Sequence, residues 1–409
     1  MNRSTDYDLI IVGGGMVGAS LVLALAGRGL RVALIEAHEA NADSQPSYDD
    51  RAIALAHGSR LIFEAIGVWP DLEGLVEPIH DIHVSDRGHF GATRLHAVDE
   101  RVPALGYVVT ARELGRVLLD QLHREAAVDV FAPARVVDFD DRGDSVGVEI
   151  ERGGLMTSLR CRLLAAADGG NSMIREKLDV PVVRWQYGQS AVVSNITPAR
   201  PHGNVAYERF TDTGPVALLP MTEQRCAVVW TVRDEQVEEV LRLDDDAFLS
   251  AFQRRFGYRL GRFVRAGRRT AYPLSLLRAR ESVCGRVVII GNAAHTLHPI
   301  AGQGFNLGIR DVAALAEVVD DAFSAGGDIG AAPALDRYRR WRTNEQRNVA
   351  LATDGLARLF SNPLGIVRLG RNMGLLAMEF LPGAKHPLAR GAMGLLGRQP
   401  RLARGVPLG

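Results

Sequence analysis

The sequence predicts an α/β chain built on a doubly wound, Rossmann-like parallel sheet, with a second β-sheet unit and a helical C-terminus. Three observations carry this reading. A strand, a glycine turn, a helix and a second strand follow one another over residues 8–36. Short strands separated by turn residues fill 128–164 and 182–232. Helical periodicity takes over after Gly308.

Asp8-Leu9-Ile10-Ile11-Val12 is a short apolar run ended by Gly13-Gly14-Gly15, the pattern of a strand buried on both faces. Met16 to Gly27, rich in Ala and Leu, reads as a helix, and Arg31 to Glu36 as the next strand, which makes a βαβ start. Ala37 to Asp50 is polar and reads as a loop. Arg51 to Gly67 and Arg112 to Ala127 read as helices, the second amphipathic. From Val128 to Leu164, Asp-Asp-Arg-Gly and Arg-Gly-Gly turns break the chain into a β-meander. Val182 to Val232 continues as strands, with alternation at Asn204 to Phe210. Asp244 to Phe256 is a helix, Arg286 to Ile290 a buried strand ending at Gly291-Asn292, and the chain after Gly308 is helical to Arg347. The expected division is discontinuous. A dinucleotide-binding domain comprises 1–75, 100–180 and 278–345, a β-sheet domain comprises 76–99 and 181–277, and a helical segment covers 346–409.

Composition narrows the function. Acidic and basic residues stand at 48 each, so the chain lacks the basic excess that phosphate neutralisation requires and no nucleic-acid partner is expected. Cys161, Cys226 and Cys284 are isolated, with no metal-ligand spacing, so no metal is expected and a reducing cytoplasm fits. The polar N-terminus shows no signal peptide, and no uncharged apolar stretch reaches the ~18 residues of a membrane span.

Gly13-x-Gly15-x-x-Gly18 lies between a strand and a helix, with Glu36 closing the following strand. Here Gly13 makes the turn, Gly15 lets a pyrophosphate approach the backbone, and Gly18 brings helix and sheet together. Met16 and Val17 open the helix whose N-terminus faces the phosphates, and Glu36 can accept from ribose hydroxyls. A second glycine cluster, Gly291 to Asp311, joins a strand to a helix and leaves backbone N–H groups free for an acceptor. A flavin needs such donors where negative charge collects on reduction.

With Ala167-Asp168-Gly169-Gly170-Asn171-Ser172-Met173-Ile174-Arg175, these motifs resemble, in order and spacing, the three signatures of the group A flavoprotein aromatic hydroxylases. That family has the p-hydroxybenzoate hydroxylase fold, and the resemblance covers most of the chain. The segment Tyr48-Asp49-Asp50-Arg51-Ala52-Ile53-Ala54-Leu55, the run Thr296 to Gly304, Tyr207-Glu208-Arg209-Phe210 and Ala217 to Met221 are similar to the ubiquinone-biosynthesis branch. The resemblance implies a glutathione-reductase-type FAD-binding sheet with a β-sheet substrate domain. Its activity would be ring hydroxylation of a polyprenylated phenol (2-polyprenyl-6-methoxyphenol) with NAD(P)H and O2, through a flavin C4a-hydroperoxide.

By the same resemblance, Glu36 binds the adenosine ribose, Arg112 lies near the FAD phosphates, and Arg51 lies beside the flavin. Asp168 and Arg175 link the FAD and reductant regions. Gly291 and Asn292 meet the ribityl chain, and Pro299, Gly302, Gln303, Gly304, Phe305 and Asn306 surround the isoalloxazine. Most relatives carry Asp where this chain has Asn292; an amide oxygen still accepts a hydroxyl hydrogen bond, without the charge. Tyr207, His298, Pro299 and Gln303 are the catalytic candidates, among which the group that activates the phenol is not distinguished. His295 reads as structural.

Two other functions share the scaffold: an FAD-dependent prenyl-lipid reductase, and a non-catalytic FAD-binding subunit of a quinone-synthesis assembly, which would place the chain among other ubiquinone-biosynthesis proteins. Oligomeric state is not readable. Residues 358–409 carry eight basic side chains against Glu379 alone, interleaved with Leu, Ile and Met, which suits contact with the inner face of a membrane.

Overall fold

A computed structural model of the chain describes residues 5–39, 41, 45, 49–298, 300–362 and 364–409. Tyr7–Val12 forms the middle of the first sheet, and Leu9, Ile10 and Ile11 are fully buried in it. It pairs in parallel with Val32–Ile35 on one side and with Cys161 to Ala166, the end of Leu155–Ala166, on the other. Val128–Phe131 and Val287–Ile289 extend the parallel order outward on the two sides.

The expected meander therefore divides. Arg135–Asp141, Val146–Arg152 and Leu155–Ala166 are antiparallel neighbours, while Val128–Phe131 belongs to the parallel sheet. Half of the Ala37 to Asp50 loop lies outside the described residues.

One expectation is corrected. Residues 51–67 are not helical throughout: Ala52–Ala56 is a strand, antiparallel to Gly106–Thr110, and the helix is His57–Ala65. Ala-Ile-Ala-Leu-Ala is good helix sequence, but pairing with a neighbouring strand outweighs a propensity difference of less than ~1 kcal/mol per residue. Gly106 permits the close approach, since a Cβ there would lie 2.6 Å from the Leu55 carbonyl oxygen.

Among the described residues, nine strands form a second sheet around Val182–Pro198, which pairs with Thr270–Ala279 and Arg225–Arg233. Gly214–Met221, Val205–Thr211, Asp81–Asp86 and Ala92–His96 continue it. One face is covered by helix Asp245–Phe256, whose Phe248 and Phe252 rings meet Trp230 at 5.9 and 5.7 Å. His295–Thr296, inside the Gly291 to Asp311 motif, pairs with Leu277 and Arg278 and so joins that motif to the second sheet.

The long helix Gln303–Ser324 runs through the core, beginning five residues before Gly308. A Cβ at Gly308 would sit 3.2 Å from both Gly291 Cα and the Val17 side chain, so glycine brings this helix onto the fingerprint helix Met16–Leu25. Ala332–Ser361, Gly365–Phe380 and Pro382–Ala392 then fold back over the second sheet.

Candidate active site

At the fingerprint, Gly13 has φ +103°, a conformation that L side chains rarely adopt, and a Cβ on Gly18 would run into the Gly13 carbonyl. Glu36, buried at the end of Val32–Ile35, accepts from the Gly14 N–H at 2.5 Å and from the His38 N–H at 2.8 Å. The helices Met16–Leu25 and Gln303–Ser324 begin after Gly15 and Gly302, and neither start is closed by a side-chain cap. Two positive helix ends are thus available to an anion. Asp168 accepts from the Ile174 N–H at 3.3 Å, while its buried Oδ1 has no partner among the described residues; burial raises its pKa. Asn292 is exposed. Glycine cradles without room for Cβ, two uncapped helix starts and an orphaned carboxylate oxygen suit a dinucleotide diphosphate.

Arg175, expected with Asp168 to link the FAD and reductant regions, is 2% exposed. Its guanidinium donates to the carbonyls of Gly170 and Ala293, both at 2.9 Å, tying the second motif to the third. Arg51 pairs with Asp49 at 2.7 Å and lies over the Tyr272 ring at 4.6 Å. Arg112 pairs with Asp50 at 3.0 Å, so the two arginines are held by adjacent carboxylates.

Within the third motif, His295 Nε2 meets Asp311 Oδ2 at 2.7 Å, both residues being buried. Asp311 also accepts from Arg342 Nε at 2.8 Å and Gln346 Nε2 at 2.9 Å. Burial pushes the Asp311 carboxyl up, but the Arg342 charge and the His295 bond overcome it and hold it well below the usual carboxylate range. His298 is buried with its ring edge-on to Tyr187 at 5.0 Å, and burial lowers its pKa to about 4, so the ring is neutral. Gln303 donates to the Ala392 carbonyl at 3.2 Å, and Phe305 stacks on Phe63 at 6.4 Å. Gly304 has open space where a Cβ would be. Pro299, named above twice, lies outside the described residues, as does Tyr48.

Asn306 is fully engaged. Its amide donates to the carbonyls of Ala54 (2.8 Å) and Gly302 (2.7 Å), and accepts from the Ala56 N–H (2.8 Å) and the Ser59 hydroxyl (2.7 Å). Gly302 and Asn306 also line a cavity of about 770 Å³, near the upper end of the roughly 300–1,000 Å³ usual for ligand pockets. Residues from Ala52–Ala56 and from the second sheet form two of its walls, and Leu359, Phe360 and Leu375 of the C-terminal helices form a third.

Of the catalytic candidates described, Tyr207 borders this cavity, whereas His298 and Gln303 are not among its lining residues. Tyr207 turns its ring away, edge-on to Phe256 at 5.4 Å. The next residue, Glu208, faces the cavity side of the same strand and was not singled out from the sequence. Alternation over Val205–Thr211 was the available signal, because it puts a carboxylate between Ala206 and Phe210 on an otherwise apolar face. Glu208 lies in register between Val84 and Ala217, with no hydrogen bond or ion pair among the described residues. Burial alone pushes its carboxyl up to about 8.

Comparison with known proteins agrees with this architecture. Residues 6–350 match the FAD binding domain family. A ubiquinone hydroxylase, UbiL, of Rhodospirillum rubrum is 38% identical over 405 residues, covering 98% of this chain and 93% of its own length. A 3-demethoxyubiquinol 3-hydroxylase of Escherichia coli is 31% identical, covering 95% and 98%. The p-nitrophenol 4-monooxygenase PnpA of Pseudomonas putida shares the fold at a TM-score of 0.81 and 19% identity, covering 97% of this chain and all of that one.

Fold and family together define an FAD-dependent aromatic monooxygenase with NAD(P)H as reductant. The chain belongs to the group A flavoprotein aromatic hydroxylases, in the branch of the ubiquinone-biosynthesis hydroxylases.

Proposed function

We propose that the chain hydroxylates the ring of a polyprenylated phenol, 2-polyprenyl-6-methoxyphenol, in ubiquinone biosynthesis. The observation that carries this reading is the cavity: large, apolar, and bordered by Gly302 and Asn306 of the third motif on one side and by the C-terminal helices on the other. Bound FAD supplies the two electrons taken from NAD(P)H and the activation of O2. The chain's own residues hold the groups in place. Gly13, Gly15, Met16, Val17 and Gly18 cradle the pyrophosphate, Glu36 takes the ribose, and Arg51, Arg112, Asp168 and Asn292 bind along the dinucleotide. Gly291 lies with Asn292 at the ribityl chain, and Pro299 and Gly302 to Phe305 surround the flavin ring, while Asn306 and Arg175 fix the loops on which they sit. The apolar wall excludes water from the reacting atoms.

In this reading, 1–75, 100–180 and 278–345 bind FAD, 76–99 and 181–277 receive substrate, and 346–409 closes the cavity. Helix Gly365–Phe380 supports an approach from a lipid surface. Val367, Arg371, Leu375 and Met378 border the cavity, while Ile366, Leu369, Met373 and Phe380 lie on another face and are 54–81% exposed. No helix among the described residues is long and apolar enough to cross a membrane. The basic count of this segment overstates its free charge, since Arg371 pairs with Asp86, Lys385 with Glu379 and Arg401 with Asp320 and Asp321. Arg368, Arg390, Arg398 and Arg404 remain exposed.

The test is product analysis. The purified holoenzyme is expected to convert 2-prenylated 6-methoxyphenol, NAD(P)H and labelled O2 into a ring-hydroxylated product carrying one labelled oxygen. Alkene reduction without label would support the reductase reading instead.

A further inference from the structure

We propose that Glu208 is the catalytic base that takes the proton from the substrate's phenol hydroxyl. This rests on the phenol-hydroxylase reading above and assigns the one role that reading leaves unfilled. A ring attacks an electrophilic oxygen faster as phenolate than as phenol, so a base beside the hydroxyl raises the rate.

The cavity offers few groups for this work. Its other ionisable lining residues among those described are Tyr207 and Arg371. Tyr207 directs its ring to Phe256, and burial raises its pKa. Arg371 cannot accept a proton, and its guanidinium is held by Asp86 at 2.8 Å and by the Phe360 carbonyl at 2.9 Å. Arg209, on the opposite face of Glu208's strand, donates to the Phe256 carbonyl. The neighbours across the sheet, Val84 and Ala217, carry no charge, and neither do Thr93, Leu359 and Phe360 on the surrounding elements.

Among the described residues, Glu208 thus meets the cavity without a cation to hold it ionised and without a donor to occupy its oxygens. Its carboxyl titrates far closer to neutrality than an exposed glutamate, at about 8, which narrows the gap to a phenol of pKa ~10 to about two units. In the step, the phenol O–H bond breaks, its electron pair stays on the phenol oxygen, and a Glu208 carboxylate oxygen gains the proton. Nothing is oxidised or reduced. The carboxylic acid gives the proton to water before the next cycle.

The experiment compares wild type with Glu208→Gln, which keeps size and polarity but cannot take the proton. Flavin absorbance checks that both hold FAD. Bound substrate phenol, labelled with 13C at the hydroxyl-bearing carbon, is then titrated by NMR in the oxidised holoenzyme. In wild type the 13C signal is expected to shift through a pH of about 8, as the Glu208 carboxylate forms and accepts the phenol hydrogen bond, and in Glu208→Gln that step is expected to be missing. Wild-type kcat/KM should rise with pH through about 8. The variant should lose that limb and fall about 10²-fold or more in kcat, with partial recovery on phenols made more acidic by ring substituents. The same 13C titration and unchanged pH profiles in the two proteins would overturn the proposal. Wild type that converts no phenol at any pH would instead overturn the reading on which it rests.

Discussion

Asn306 holds Ala54: its amide donates to the Ala54 carbonyl at 2.8 Å from inside the first turns of the long helix, and both residues line the cavity. This bond and its three companions fix the strand after Arg51 against the glycine loop at Gly302. The Asn306 side chain thus spends every donor and acceptor on the protein.

Asn306→Leu should therefore strip partners from four backbone and side-chain groups, of which the Ala56 N–H and the Ser59 hydroxyl are buried. A loss of about 2–4 kcal/mol is expected, given ~1–3 kcal/mol for each buried polar group left unpaired and partial relaxation around the gap. Urea denaturation of the holoenzyme measures it. A loss below ~1 kcal/mol would show that the four bonds are not the clamp described here.

Asp311 should matter still more. Asp311→Asn leaves the fully buried Arg342 without its main counter-charge, and such a break costs roughly 3–5 kcal/mol. The pH dependence follows from the depressed carboxyl. Its stabilisation is complete above the ordinary carboxylate range and is lost as pH falls through the lower folded-state value. Acid titrations of stability should show the wild type losing this increment in strong acid and the variant lacking it throughout.

Glu208 predicts the opposite slope. A carboxyl raised to about 8 favours its neutral form in the fold, so stability is present in full below the unfolded value of ~4.3 and declines as pH rises through about 8. Glu208→Gln should be more resistant to heat than wild type at pH 9 and no more resistant at pH 4. Identical melting temperatures at both pH values would mean that the carboxyl is solvated.

His298 should leave the pH profile alone. With its pKa lowered to about 4 it stays neutral across the working range, so His298→Gln should keep the ascending limb that Glu208→Gln removes. Loss of that limb would make His298 the titrating group.

The exposed stripe on Gly365–Phe380 makes a physical claim of its own. Ile366→Glu with Phe380→Glu removes two large apolar side chains, each contributing ~1.5–3 kcal/mol when buried, and should reduce binding to anionic vesicles at least tenfold in a flotation assay. Retention of FAD and of activity on a short-chain phenol would show that the fold is intact. Unchanged flotation would remove the lipid surface from the reading.

The sequence alone determined the parallel sheet, the dinucleotide fingerprint and the family, because these rest on local signals. A strand ending in Gly13-x-Gly15-x-x-Gly18 has few backbone solutions, and three motifs in fixed order leave few alternatives. Tertiary structure decided what local patterns leave ambiguous. Ala52–Ala56 became a strand because Gly106–Thr110 lay beside it, against its own helical propensity. Arg175 and Asn306 were taken up as internal ties because carbonyls distant in sequence, at Ala293 and Ala54, needed donors. Glu208 acquired its character only when Val84, Ala217 and the C-terminal helices closed around it, since a carboxyl's proton affinity is set by how far its surroundings exclude water.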